Sequence, residues 1–186
     1  ELGRKVKYDL MRIDINPDTR EWGDPDLLLS ADSTGLSISF PEVAPNGKYV
    51  IFCMADYGYF TIGNTSSDLY IYDIEKESYR MLNINSDETE SFHSWARNSR
   101  WLVFASKRED GIITLPYITH IDENGNESKA FVLPVKNPEA HLTALFNYNR
   151  PVFVNGKIML KQDVILELLK SETKPVGFDT TGIKVR

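Results

Sequence analysis

Short, strongly apolar runs alternate with turn-forming clusters along this chain, and the pattern repeats after about 50 residues. The segment from Phe40 through Pro41, Glu42, Val43, Ala44, Pro45, Asn46, Gly47, Lys48 and Tyr49 to Phe52 lies in register over the segment from Phe92 to Phe104. Each copy reads as a strand, a tight turn and a strongly apolar second strand. Pro45 suits the second position of a turn, and Gly47 supplies a left-handed backbone without a Cβ clash. Ser99 takes the glycine position in the second copy, at an expected local cost of about 1 kcal/mol.

A second element recurs. Asp9–Asp14, Asp68–Asp73 and Tyr117–Asp122 each end in an apolar residue followed by Asp, and each then enters a turn. Asn124-Gly125 is a hairpin signal, because both residues accept positive φ. Short apolar strands follow at Leu27–Leu29, Arg80–Leu82 and Phe131–Leu133.

The repeating unit is therefore four antiparallel strands, the arithmetic of a β-propeller blade. The expected fold class is all-β: a partial propeller of about two and a half four-stranded blades with a mixed C-terminal tail. The blades occupy residues 36–83 and 90–134, the outer half of an earlier one occupies 5–30, and the propeller region runs from 1 to 138. Val50, Phe52, Leu69, Ile71, Leu102 and Phe104 hold the repeating apolar positions and are the expected core. Such an array leaves apolar blade faces to be covered, by the rest of a longer propeller chain or by self-association. Residues 139–186 form a C-terminal extension with an expected helix at 139–146, a hairpin at 151–160 around Asn155-Gly156, and an amphipathic helix at 162–170.

At these residues the chain resembles the TolB-like (WD40-like, PD40) repeat family. Pro41 with Ala44-Pro45-Asn46-Gly47-Lys48 is similar to the first part of that repeat, Ser106-Lys107-Arg108 with Gly111 to the second, and Leu69-Tyr70-Ile71-Tyr72-Asp73 to the third. The second blade departs from it with Asn98-Ser99 and with a third strand that lacks the tyrosine. The resemblance implies a periplasmic or envelope-associated propeller that recognises another protein through its loop face. A similar propeller also precedes the hydrolase domain of prolyl-oligopeptidase-like peptidases.

Charge narrows the partners. The formal net charge of −6 gives no clustered cation to meet nucleic-acid phosphates, so no nucleic acid is expected. No apolar run is long enough to insert in a membrane as a helix. The single cysteine, Cys53, excludes an internal disulfide, and no His spacing suits a metal. Nucleophile-elbow, phosphate-loop and dinucleotide motifs are lacking, so no cofactor and no catalytic residue is assigned, and recognition without turnover is expected.

Loops held by rigid strands are the usual home of function. The loop Met54–Ser67 carries Tyr57, Tyr59 and Phe60, flat rings suited to a peptide, a protein or a glycan. Folding back of these rings over the neighbouring blade stands level with that reading. The loop Ser106–Leu115 carries Lys107, Arg108 and Asp110, either a cationic rim or an internal Arg108–Asp110 pair. His93, on a predicted inner strand, is placed on the channel side of the same site.

Overall fold

The structure is a computed structural model that describes residues 5–142, 147–157, 159 and 161–173. The chain divides into two units, Glu1–Phe153 and Val154–Arg186.

The first unit is built from antiparallel sheet. Strands β3 (Ser37–Val43), β4 (Tyr49–Ala55), β5 (Asp68–Asp73) and β6 (Ser78–Met81) form one four-stranded meander, paired in sequence order. Strands β7 (Glu90–Trp95), β8 (Trp101–Ser106), β9 (Leu115–His120) and β10 (Phe131–Val132) form a second meander of the same order. Upstream of both, β1 (Leu10–Arg12) and β2 (Asp26–Leu29) pair as a two-stranded sheet. A short helix α1 (Ala31–Thr34), capped by the Ser30 side chain, leads from β2 into β3. These are two consecutive β-propeller blades and the outer pair of a third, the class expected from the repeat.

The turns explain the recurring Asp. Asp73 Oδ1 accepts the backbone N–H groups of Glu75 and Lys76 at 3.1 and 3.0 Å. Asp122 Oδ1 accepts those of Asn124 and Asn126 at 2.9 and 2.8 Å. Each carboxylate closes the turn after its strand, which an apolar residue cannot do. At Asn124-Gly125 only Gly125 is left-handed, with φ 80°, so the turn is not the two-residue form in which both central residues have positive φ. Ser99 does adopt φ 57°, as its alignment with Gly47 requires. Its hydroxyl accepts the Asn46 N–H at 2.9 Å, so a residue strained in its own turn tethers the turn of the preceding blade.

Strand β4 is buried along its whole length, because both of its faces are covered. Ile51 and Cys53 point with Leu69 and Ile71 toward the second blade, where Leu102, Phe104 and Tyr117 meet them. Val50, Phe52 and Met54 point the other way, with Tyr70 and Tyr72, toward Leu10 and Leu29 of the outer pair. All six expected core residues lie at 5% exposure or less. A polar clamp adds to the seam: the Glu127 carboxylate accepts Arg80 Nη2 at 2.5 Å and the Asn83 N–H at 2.5 Å. Burial pushes this carboxyl upward, but Arg80 and Asn83 outweigh it and hold the group below its ordinary value.

The first unit continues past the expected boundary at 138. Tyr148 N–H donates to Thr114 O at 3.0 Å, Asn147 Oδ1 accepts Thr114 N–H at 2.7 Å, and Tyr148 packs on the inter-blade core. Of the helix expected at 139–146, α2 (Glu139–Leu142) forms; 143–146 lie outside the described residues. No strand occurs among the described residues of the expected 151–160 hairpin, of which 158 and 160 lie outside them. In the second unit, α3 (Gln162–Lys170) matches the expected helix, with Val164, Ile165, Leu168 and Leu169 exposed. Among the described residues no helix is long and apolar enough to cross a membrane.

Candidate functional site

The innermost strand of each blade carries the same irregularity. Pairing of β3 with β4 shifts register between Ser39 and Glu42, and pairing of β7 with β8 shifts between Ser91 and Ser94. Within these bulges Phe40 and Phe92, aligned in the repeat, take φ 52° and 36°. An aromatic residue in the left-handed region is strained, and a bulge re-aims its side chain. The two rings meet edge-on with centroids 5.1 Å apart. Tyr59 packs on Phe40 at 4.6 Å, Tyr8 on Tyr59 at 6.0 Å, and Phe60 on Phe92 at 6.2 Å. Five rings, from two blades, one loop and the segment before β1, thus form one continuous aromatic row.

Two clefts open along this row. The first, of about 300 Å³, is walled by Phe40, Tyr59 and Phe92, with Glu42, Ser94 and Arg150 at its polar side. Glu42 Oε1 is engaged, accepting the Trp95 N–H at 3.0 Å and the Ser94 hydroxyl at 3.3 Å. The second, of about 470 Å³, is lined by Phe60, Ile62, Lys107, Thr114, Asn147 and Asn149. Since Phe60 and Ile62 come from one blade's loop and Lys107 from the next blade's, the two loops emerge side by side. Both join the second strand of a blade to its third.

The site residues expected from sequence divide under this geometry. Tyr59 and Phe60 are 51% and 70% exposed and stand on the aromatic row, while Tyr57 is half-buried and lines neither cleft. Lys107 lines the second cleft.

Arg108 corrects the expectation that it forms a free rim or pairs with Asp110. Its guanidinium donates to Glu90 Oε1 at 2.9 Å, to Ser106 Oγ at 2.8 Å and to Ile84 O at 2.8 Å, and lies 4.3 Å over the Tyr117 ring. The physical reason is Glu90, whose carboxylate is fully buried and requires a cation and donors. Ser86 and Ser106 supply two more hydroxyls to the same oxygen at 2.8 Å each. Asp110 is exposed and closes its own turn. The backbone N–H groups of Ile113 and Ile112 hold its carboxyl below the ordinary value, with Lys107 adding to the effect.

His93 is corrected as well. It borders the first cleft but is 3% exposed and packs against β4 rather than standing free at a channel mouth. Its Nε2–H donates to Ile51 O at 3.0 Å, and Nδ1 stands 3.8 Å from Cys53 Sγ. Burial lowers its pKa to about 4 and raises that of the fully buried Cys53 thiol to about 12, so both are neutral near pH 7. Asp68, at the head of β5, is pushed up to about 6 by burial and by the Glu90 charge. Among the described residues no three His, Cys, Asp or Glu side chains converge closely enough to hold a metal ion.

Phe40, Phe92, Glu42 and Arg150 are members of the site that the sequence did not single out. The register match of Phe40 with Phe92 was the signal available for two of them. His93 was placed on the channel side because it sits on an inner strand, but its side chain packs against the preceding blade at Ile51 and Cys53.

No family model matches the chain, and no curated protein matches it. Among solved structures it is similar to the Dos1 propeller, at 16% identity and a TM-score of 0.45, over 65% of this chain and 31% of that one. It is also similar to the β-propeller domain of the Trilobed protease from Pyrococcus furiosus, at 18% identity and a TM-score of 0.39, over 70% of this chain and 36% of that one. The chain spans about a third of the length of these propeller chains.

Proposed function

We propose that this propeller is a non-catalytic recognition module, TolB-like in its repeat and associated with the cell envelope, that binds a protein or peptide along its aromatic row. The observation that carries this reading is the exposure of Tyr59 and Phe60, 51% and 70%, on rings anchored by Phe40 and Phe92. Rigid aromatic area beside charged groups is the composition of a recognition hot spot. Two strained bulges held in register add to it, since strain of this kind persists where the surrounding structure over-determines it and clusters at ligand clamps. His93 and Cys53, behind the row, are buried and neutral, which supports binding without turnover. The TolB-like assignment rests on the motifs at Pro41–Lys48, Ser106–Gly111 and Leu69–Asp73, and the envelope location follows from that resemblance.

The test is selection of a random peptide library on the immobilised chain, with a glycan array probed in parallel. Peptides that bind the chain and not its Tyr59→Ala and Phe60→Ala variants support the reading. Glycan capture without peptide capture overturns it in favour of a lectin, and capture unchanged by both substitutions places the site elsewhere.

A further inference from the structure

Beside the aromatic row stand two cations, Arg150 and Lys107, that form no ion pair among the described residues. Among the described residues, neither Arg150 in the first cleft nor Lys107 in the second has a carboxylate within ion-pair distance. Neither makes a side-chain hydrogen bond there. Glu42 is the only carboxylate among the lining residues of the two clefts, and it is engaged with β7 through Trp95 and Ser94. In a chain of net charge −6, two cations with no ion-pair partner among the described residues, beside one apolar surface, are a local reversal of sign. The wall of the second cleft also contains a buried polar group. Thr114, 1% exposed and on its wall, has a hydroxyl without a hydrogen-bond partner among the described residues.

The walls decide between ligand classes. Phe40 meets Tyr59 at 50° and Phe92 at 61°, so the three rings form an angled apolar recess. A flat platform of the kind a sugar ring stacks upon would need coplanar faces. An angled recess takes an aliphatic or aromatic side chain, and the cations Arg150 in this cleft and Lys107 in the next take carboxylates. Phe92 walls the first cleft and Phe60 the second, and their contact sets the clefts side by side within reach of one extended ligand. Resting on the recognition reading above, the geometry points to an acidic peptide as ligand: an apolar side chain in the Phe40–Tyr59–Phe92 recess, flanked by Asp or Glu carboxylates that pair with Arg150 and Lys107. The pairs lie at the rim, so binding weakens as salt rises.

A positional-scanning set of end-blocked hexapeptides, read by fluorescence anisotropy against the full chain, tests this. The expected result is that Asp and Glu are selected beside an apolar residue, and that changing Glu to Gln in the best peptide weakens it about tenfold. Lys107→Gln and Arg150→Gln, at solvent-accessible positions where folding is not at stake, are expected to abolish the Glu-over-Gln preference while leaving the apolar preference. Selection of an apolar residue with no acidic preference overturns the acidic-ligand inference and leaves the recognition reading standing. Selection of basic residues does the same. Absence of any apolar selection that Tyr59→Ala removes overturns both. Binding of uronic-acid oligosaccharides at lower concentration than any hexapeptide replaces the peptide with an acidic glycan.

Discussion

Phe40 and Phe92 hold the same left-handed backbone position one blade apart, with their rings in edge-on contact at 5.1 Å. A non-glycine residue at positive φ is uncommon, and a bulky one is an outlier. Here the outlier recurs in consecutive repeats and joins them. The repeat therefore specifies a strained ring as well as four strands, and that ring forms the floor of the proposed binding surface.

The strain makes an unusual mutational order. At ordinary sheet positions glycine is worse than alanine by roughly 0.5–1 kcal/mol. At Phe92, which is 9% exposed, both substitutions lose the buried ring, at about 3–5 kcal/mol for alanine. Glycine alone relieves the φ of 36°. Phe92→Gly is expected to be less destabilising than Phe92→Ala in urea unfolding; the reverse order would show that the bulge carries no strain.

The inter-blade core is an independent point. Phe104 is fully buried among Leu102, Tyr117 and the facing side of the first blade. Phe104→Ala is expected to cost about 3–5 kcal/mol. A loss under about 1 kcal/mol in urea melts would remove Phe104 from the core.

The buried His93 and the half-buried Asp68 give stability opposite slopes with pH. The His93 pKa falls from 6.5 to about 4 on folding, so the unfolded chain takes up that proton first. Its contribution is present above pH 6.5 and lost as pH falls toward 4. Asp68 rises from 3.8 to about 6, so its contribution is present below pH 3.8 and lost as pH rises through 6. Thermal melts of Asp68→Asn are expected to show a higher Tm than the parent at pH 7.5 and an equal one near pH 3.5. His93→Gln is expected to flatten the acid side of the profile between pH 6.5 and 4.5. Slopes of the other sign would reverse the two assignments.

What the sequence disclosed followed from periodicity. The strands of both blades, the outer pair and the six core residues could be read because an apolar run and its turn each depend on neighbours in sequence. The role of Arg108 could not, because Glu90 lies 18 positions away and meets it only through the sheet. Adjacent Asp110 offered a nearer partner that is instead spent on its own turn. His93 was misplaced because its partner Ile51 lies 42 positions away, in the preceding blade, and covers the side that the inner-strand position assigned to the channel. The boundary at 138 was drawn where the repeat ends, whereas Tyr148 continues to pack on the same core.

The central claim is that Tyr59 serves binding and Arg108 serves the fold. Tyr59→Ala and Arg108→Ala are to be compared in one experiment, by calorimetric titration with a selected peptide and by thermal unfolding. Tyr59→Ala is expected to weaken binding about tenfold, some 1–2 kcal/mol, with Tm unchanged. Arg108→Ala leaves the Glu90 carboxylate buried without its cation and is expected to lose about 3 kcal/mol of stability. Peptide affinity unchanged in Tyr59→Ala, or an Arg108→Ala chain as stable as the parent, would contradict the account.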